Sequence, residues 1–323
     1  MAVMRWIVVG AGAVGGVVGG LLANTGEDVT LVARGAHREA IAANGLRVRT
    51  PNLDVAVRCP AVASVGDVRI GAGDIVLLAV KSQDTEVATR ELSAAANHGA
   101  VILCLQNGLE NERVAARRFA DVLSVPVMLP SMIVEPGVVA AWGAPHPAVL
   151  DVGRYPDAPV DDLVRSVSAG FVAAGMLSTS RPDIARWKRR KLLMNVANSV
   201  QALVGLGGGQ RLIEMATAEA EACFAAAGVD VATVEEDAAN REGRMEIGDV
   251  AGVERGGGSS WQSLVRGTGS IEADYLNGEV CLLGRLHGVP TPVNALLQRH
   301  ANAAAHEGLE PGSTTEDELL AEL

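Results

Sequence analysis

Residues 5–24 read Arg5-Trp6-Ile7-Val8-Val9-Gly10-Ala11-Gly12-Ala13-Val14-Gly15-Gly16-Val17-Val18-Gly19-Gly20-Leu21-Leu22-Ala23-Asn24. An apolar strand candidate over 6–9 runs straight into Gly10-x-Gly12-x-x-Gly15, and the helical pattern of 14–24 follows at once. Strand, glycine turn and helix in that order are the context a dinucleotide fingerprint requires. Gly10 permits the tight turn, Gly12 lets the backbone approach a pyrophosphate, and Gly15 lets the helix pack close to the strand. Ala11, Ala13 and Val14 complete the loop, whose helix end offers unpaired amides and a positive dipole to phosphates.

The next strand candidate, 29–33, ends in Arg34 where a carboxylate would accept hydrogen bonds from a ribose 2′-hydroxyl. An arginine there suits a 2′-phosphate instead, so the expected cofactor is NADPH rather than NAD or FAD. His37 and Arg38 either extend that pocket or form a solvated helix face.

Further strand candidates at 75–80, 100–105 and 122–128 alternate with helix candidates at 37–44, 86–96 and 111–119, the pattern of a parallel sheet with crossover helices. Segments 138–142 and 148–152, beside Pro145 and Pro147, read as antiparallel strands added at the sheet edge. After Arg181-Pro182 strands give way to helical patterns over 184–204, 210–227, 231–244, 260–265, 271–286 and 291–307. The reading is therefore an α/β chain, with a Rossmann-type doubly wound sheet in a 1–181 NADP-binding domain and an all-helical 182–323 substrate domain. No structure is assigned to 311–323.

A net charge of -11 argues against a surface that tracks nucleic-acid phosphates. Cys59, Cys104, Cys223 and Cys281 form no CxxC pair and read as buried free thiols in a reducing compartment. No stretch approaches the roughly 20 apolar residues of a membrane span. A cytoplasmic protein with a small-molecule partner, and neither nucleic acid nor membrane, is the expectation; no metal site is expected, and a homodimer is compatible with it.

Reducing a ketone by hydride needs a donor that protonates the oxygen. In Arg186-Trp187-Lys188-Arg189-Arg190-Lys191-Leu192-Leu193-Met194-Asn195-Val196-Ala197-Asn198-Ser199, the residues Lys191, Asn195 and Asn198 stand at i, i+4 and i+7 and would share one helix face. Lys191 is the candidate acid; Lys188, Arg189 and Arg190 read as a solvated basic face.

At these residues the chain resembles the ketopantoate reductases (2-dehydropantoate 2-reductases), over nearly its whole length. The landmarks occur in the family's order: the Gly10–Gly15 loop, Arg34, Ala79-Val80-Lys81, Gln106-Asn107-Gly108, Lys191 with Asn195, then Ser260 and the Glu272-Ala273-Asp274-Tyr275-Leu276-Asn277-Gly278 segment. The resemblance implies Lys191 as general acid, Asn107 near the nicotinamide and the substrate carbonyl, Asn195 and Ser260 as substrate donors, and Glu272 as a positioned carboxylate. It also puts Lys81 on the cofactor side. Two positions depart from the family pattern: Ser199 stands where a second asparagine is frequent, with Asn198 one place earlier as its geometric substitute, and Gly257 replaces another asparagine.

The resulting expectation is NADPH-dependent reduction of ketopantoate to pantoate, as in pantothenate biosynthesis. The alternatives are the same chemistry on another 2-ketoacid, or a non-catalytic NADPH-sensing protein.

Overall fold

The computed structural model describes residues 4–96 and 99–323. Its strands are β1 (Arg5–Val9), β2 (Asp28–Val32), β3 (Leu46–Thr50), β4 (Leu53–Val57), β5 (Ala61–Val62), β6 (Ile75–Leu78), β7 (Val101–Cys104), β8 (Asp121–Ser124), β9 (Ser131–Glu135), β10 (Val138–Ala141), β11 (Gly143–Pro145), β12 (Gly153–Tyr155) and β13 (Met245–Ile247). The helices are α1 (Ala13–Asn24), α2 (Gly35–Asn44), α3 (Thr85–Ala95), α4 (Asn111–Ala116), α5 (Asp162–Ala173), α6 (Ile184–Asn195), α7 (Ala197–Val204), α8 (Gln210–Ala226), α9 (Val234–Arg241), α10 (Ser259–Val265), α11 (Asn277–His287), α12 (Pro292–Glu307) and α13 (Glu316–Leu320).

The main sheet runs β12-β8-β7-β6-β1-β2-β5 and is parallel except for β12. Its strands are near-continuous apolar runs because both faces are covered. Trp6 and Val8 enter one core with Leu77 and Leu103, while Ile7 and Val9 enter the other with Leu78 and Ile102. This is the doubly wound sheet that the opening glycine loop implies, with its strand order reversing beside β1.

Chain contacts define two compact units: Met1–Gln106, Glu110–Lys188 and Val234–Glu254 form the first, and Asn107–Leu109, Arg189–Thr233 and Arg255–Leu323 the second. The 234–254 stretch is held to the first unit by polar bonds to Arg186, Arg181 and Asp151. Arg186 forks onto Glu236 with two bonds of 2.8 Å, and Arg181 and Asp151 both bond Asn240, at 3.2 and 3.0 Å. Strand β13 pairs antiparallel with β11, and Val250 packs on Ala140 and Trp142. One short strand thus lies beyond Arg181-Pro182, where helices alone are expected, and it belongs to the first unit.

Several local expectations are corrected. The antiparallel strand on the sheet edge is β12, not 148–152, and 138–141 joins a separate sheet ordered β4-β3-β10-β9. The hairpin β3–β4 lies outside the expected strands, although Leu46-Arg47-Val48-Arg49-Thr50 alternates with period two before Pro51-Asn52. The 184–204 helix breaks at Val196, whose carbonyl accepts the Asn277 amide at 3.3 Å, and 271–286 divides into a 3-10 turn, Glu272–Tyr275, and α11. The acidic end docks: a Thr315–Glu318 capping box starts α13, Leu319 is fully buried in the helical core, and Glu316 accepts the Leu212 amide at 3.1 Å.

Candidate functional site

In the first unit the glycine loop is fixed by its own backbone. The amides of Gly10 and Ala11 both donate to the Val32 carbonyl, at 3.1 and 3.0 Å, which pins the loop to the end of β2. Gly10 has φ +95, and a Cβ there would lie 2.9 Å from the Ala79 and Val80 backbone, so the Ala79-Val80-Lys81 segment presses directly on the loop. A Cβ on Gly15 would stand 2.3 Å from the Gly10 carbonyl oxygen. A Cβ on Gly12 would meet nothing within 4 Å. The Gly12 face is thus open where Gly10 and Gly15 are closed, and the first amides of α1, those of Ala13, Val14 and Gly15, have no intrahelical acceptor. An open glycine beside free amides at a helix start fits a pyrophosphate.

Arg34, exposed, is the N-cap of α2 at the end of β2. His37 does not point into a phosphate pocket: its Nδ1 accepts the Gly137 amide at 3.0 Å and its Nε2 lies 2.9 Å from the Ala11 carbonyl oxygen. That pattern places the ring proton on Nε2, and burial holds its pKa below the ordinary 6.5 against the opposing pull of the Ala11 bond. Lys81 caps the 3-10 turn Ser82–Asp84 and is half-buried.

Beneath the loops at the carboxyl ends of β6, β7 and β8 lies a buried polar cluster. Gln106 donates to the Val80 carbonyl at 2.9 Å and to Thr85 Oγ1 at 2.8 Å, and Asn111 accepts from Thr85 at 2.7 Å. Lys188 belongs here and corrects the reading of a solvated face. Its side chain is 5% exposed, and its Nζ lies 2.9 Å from Glu112 Oε1. The signal was its spacing: Ile184, Lys188 and Leu192 follow at i, i+4 and i+8, and both apolar members are buried. The partner that makes burial tolerable lies on α4, far away in sequence.

In the second unit, Lys191 is half-buried on α6 and Asn195, one turn on, is buried at its end. Leu192, Leu193 and Val196 enter the helical core, which leaves the Lys191–Asn195 stripe on another face. Asn198 stands on α7, and its Oδ1 would lie 3.1 Å from a Cβ on Gly258. The Gly258 amide donates to Gln201 Oε1 at 3.3 Å, so the start of α10 lies over α7. Ser260 follows, 1% exposed. Ser259 donates to Glu272 Oε2 at 3.1 Å, tying the carboxylate, itself 4% exposed, to the same place. Asn198, Ser260 and Glu272 are thereby brought together, and Asn107, with Leu109 packed on the helical core, groups with this unit as well.

Among the described residues, Asn195 Nδ2 and Ser260 Oγ are buried and make no hydrogen bond, and the same holds for Arg190 Nε on the same helix as Asn195. Buried polar groups are satisfied as a rule, and Asn195 and Ser260 are left able to bond a substrate's polar groups. The two departures of the sequence resolve differently. Ser199 is fully buried and donates to Asn277 Oδ1 at 2.6 Å, an internal tie. Gly257 lies under Trp261, whose Cγ would stand 2.5 Å from an added Cβ. Sequence reasoning gave no role to Ser259, Trp261 or Glu112.

Residues 6–155 match the family described as Ketopantoate reductase PanE/ApbA, and residues 183–305 its C-terminal counterpart. A 2-dehydropantoate 2-reductase of Halobacterium salinarum is 33% identical over 319 residues, covering 94% of this chain and 100% of the relative. The crystal structure of a PanE/ApbA family ketopantoate reductase from Ralstonia eutropha superposes with a TM-score of 0.78 at 28% identity, over 94% of this chain and 99% of that one. A D-mandelate dehydrogenase with NADH and anilino(oxo)acetate shares the fold, with a TM-score of 0.79 at 20% identity over 94% of this chain and 99% of that one. Matched along both segments and to a relative over its full length, the chain belongs to the ketopantoate reductase family.

Proposed function

We propose that the chain reduces 2-dehydropantoate to pantoate with NADPH. The observation that carries this reading is the pair of buried, unpartnered groups, Asn195 Nδ2 and Ser260 Oγ, in the unit that also holds Lys191 and Glu272. Bound NADPH supplies a hydride to the substrate's carbonyl carbon. Lys191 Nζ gives the proton that the ketone oxygen needs, and its charge opposes the negative charge developing there. Glu272, held by Ser259, orients the lysine and substrate. Asn195, Asn198 and Ser260 anchor the substrate's polar groups, which fixes the approach geometry. Asn107 lies beside the reacting carbonyl.

On the cofactor side, residues 10–15 hold the pyrophosphate, Arg34 the 2′-phosphate, and Lys81 the neighbouring edge. These roles give cofactor binding to the first unit and substrate binding to the second, which includes Asn107. Among the described residues no helix is long and apolar enough to cross a membrane. All four cysteines are free, which suits a reducing cytoplasm.

A second reading keeps the reaction and changes the ketoacid. Trp261 fills the space that a side chain at position 257 would use, so a hydroxyl-reading amide there has no counterpart. Following NADPH absorbance with ketopantoate and a panel of other 2-ketoacids separates the two. NADPH binding without turnover of any member would favour a sensing protein instead.

A further inference from the structure

Lys188 and Glu112 are more deeply buried than Lys191, yet the proposed chemistry has no use for them. The ammonium is surrounded by oxygen: Glu112 Oε1 at 2.9 Å, the Gln106 carbonyl at 2.8 Å and the Val125 carbonyl at 3.4 Å. Glu112 Oε1 also accepts from Ser124 Oγ at 2.7 Å. The side chains are 5% and 2% exposed. Burying such a pair costs desolvation of both charges, and a well-packed apolar pair of similar volume commonly serves stability as well or better. What apolar side chains cannot do is hold a carbonyl in a fixed direction.

The carbonyl held is that of the peptide joining Gln106 to Asn107. On its other side Gln106 is clamped by its own amide to the Val80 carbonyl, next to Lys81. Gly108, with φ +82, follows Asn107 at once, so the loop's direction depends on what fixes residue 106. From this geometry we propose that Lys188 and Glu112 are a positioning pair for the reaction: the buried ammonium, charged and aimed by Glu112, fixes the Gln106–Asn107 peptide and so sets the Asn107 side chain beside the reacting carbonyl. The role given to Asn107 is the one in the proposed function, and the inference rests on it.

The test replaces both partners together, Lys188→Met with Glu112→Leu, so that no lone charge is left buried. Four readouts are expected. Melting temperature stays within a few degrees of the parent. Amide exchange of the 105–110 segment, measured by mass spectrometry on the protein without cofactor, rises tenfold or more. Turnover of ketopantoate falls tenfold or more while NADPH affinity, read by its fluorescence, stays within twofold. In a cycle with Asn107→Ala, the pair replacement costs less than twofold once Asn107 is gone. Should the double variant fail to fold, Lys188→Arg, which keeps the charge but not the single-point geometry, is expected to fold and to show the same exchange and turnover changes in milder form. Unchanged exchange at 105–110, full turnover, or losses that multiply with those of Asn107→Ala would each overturn the pair's role. Absence of ketoacid turnover in the unaltered chain would instead overturn the proposed function, and the exchange measurement would still decide whether the pair orders the loop.

Discussion

His37 Nε2 lies 2.9 Å from the carbonyl oxygen of Ala11, so the first turn of α2 holds the glycine loop from outside. The other ring nitrogen accepts the Gly137 amide, which only the neutral ring can do. Burial lowers the His37 pKa, so the folded chain binds fewer protons there than the unfolded one. The sign follows: this contribution to stability is fully present above about pH 6.5, the ordinary value, and is lost as pH falls below it through the folded pKa. NADP+ affinity, measured by calorimetry, is expected to weaken on the acid side. A His37→Gln variant is expected to flatten that slope, and an unaltered slope would remove His37 from the cause.

Lys191→Ala is expected to lower kcat by roughly 100- to 10,000-fold, about 3–5 kcal/mol, as loss of a general acid does. NADPH affinity is expected to hold within a few-fold. Steady-state kinetics beside fluorescence titration measures both, and unchanged kcat would exclude Lys191 as the acid.

Arg34 is exposed at the end of β2, where its replacement disturbs no core. Arg34→Asp is expected to shift the NADPH/NADH preference toward NADH by about 10- to 100-fold, the worth of one charged hydrogen bond, about 1.5–3 kcal/mol. Comparing kcat/KM for the two cofactors reads it directly; an unmoved ratio would place the 2′-phosphate elsewhere.

Gly257→Asn puts back the amide frequent in the family, but into space that the Trp261 ring occupies. It is expected to destabilise by about 1–3 kcal/mol through overpacking, with no gain in KM for ketopantoate. Denaturant melts check the first and kinetics the second. Trp261→Ala added to Gly257→Asn is expected to recover part of the stability.

What the sequence disclosed and what it hid divide on physical lines. β1, β2, β6 and β7 were legible because a parallel strand covered on both faces is an uninterrupted apolar run. The glycine turn after β1 was legible in part because Gly15 answers a steric demand from a near neighbour in sequence, the Gly10 carbonyl; the crowding of Gly10 by Ala79 and Val80 comes from another strand. The helix break at Val196 was not, since it depends on an amide from Asn277. Lys188 was misread for the same reason: a lysine's exposure is decided by whether a carboxylate awaits it, and Glu112 comes from another element. Leu319 looked unanchored because a five-residue helix owes its order to the core it meets and little to its own propensity.

The return of 234–254 to the first unit has a consequence for how such chains can be recombined. A fragment ending at residue 181 would strip Val250 from Trp142 and β13 from β11. A hybrid that takes its first unit from one relative and its second from another must therefore carry 234–254 with the first. The two units are in this sense inherited through interleaved stretches of sequence, not through two exchangeable blocks.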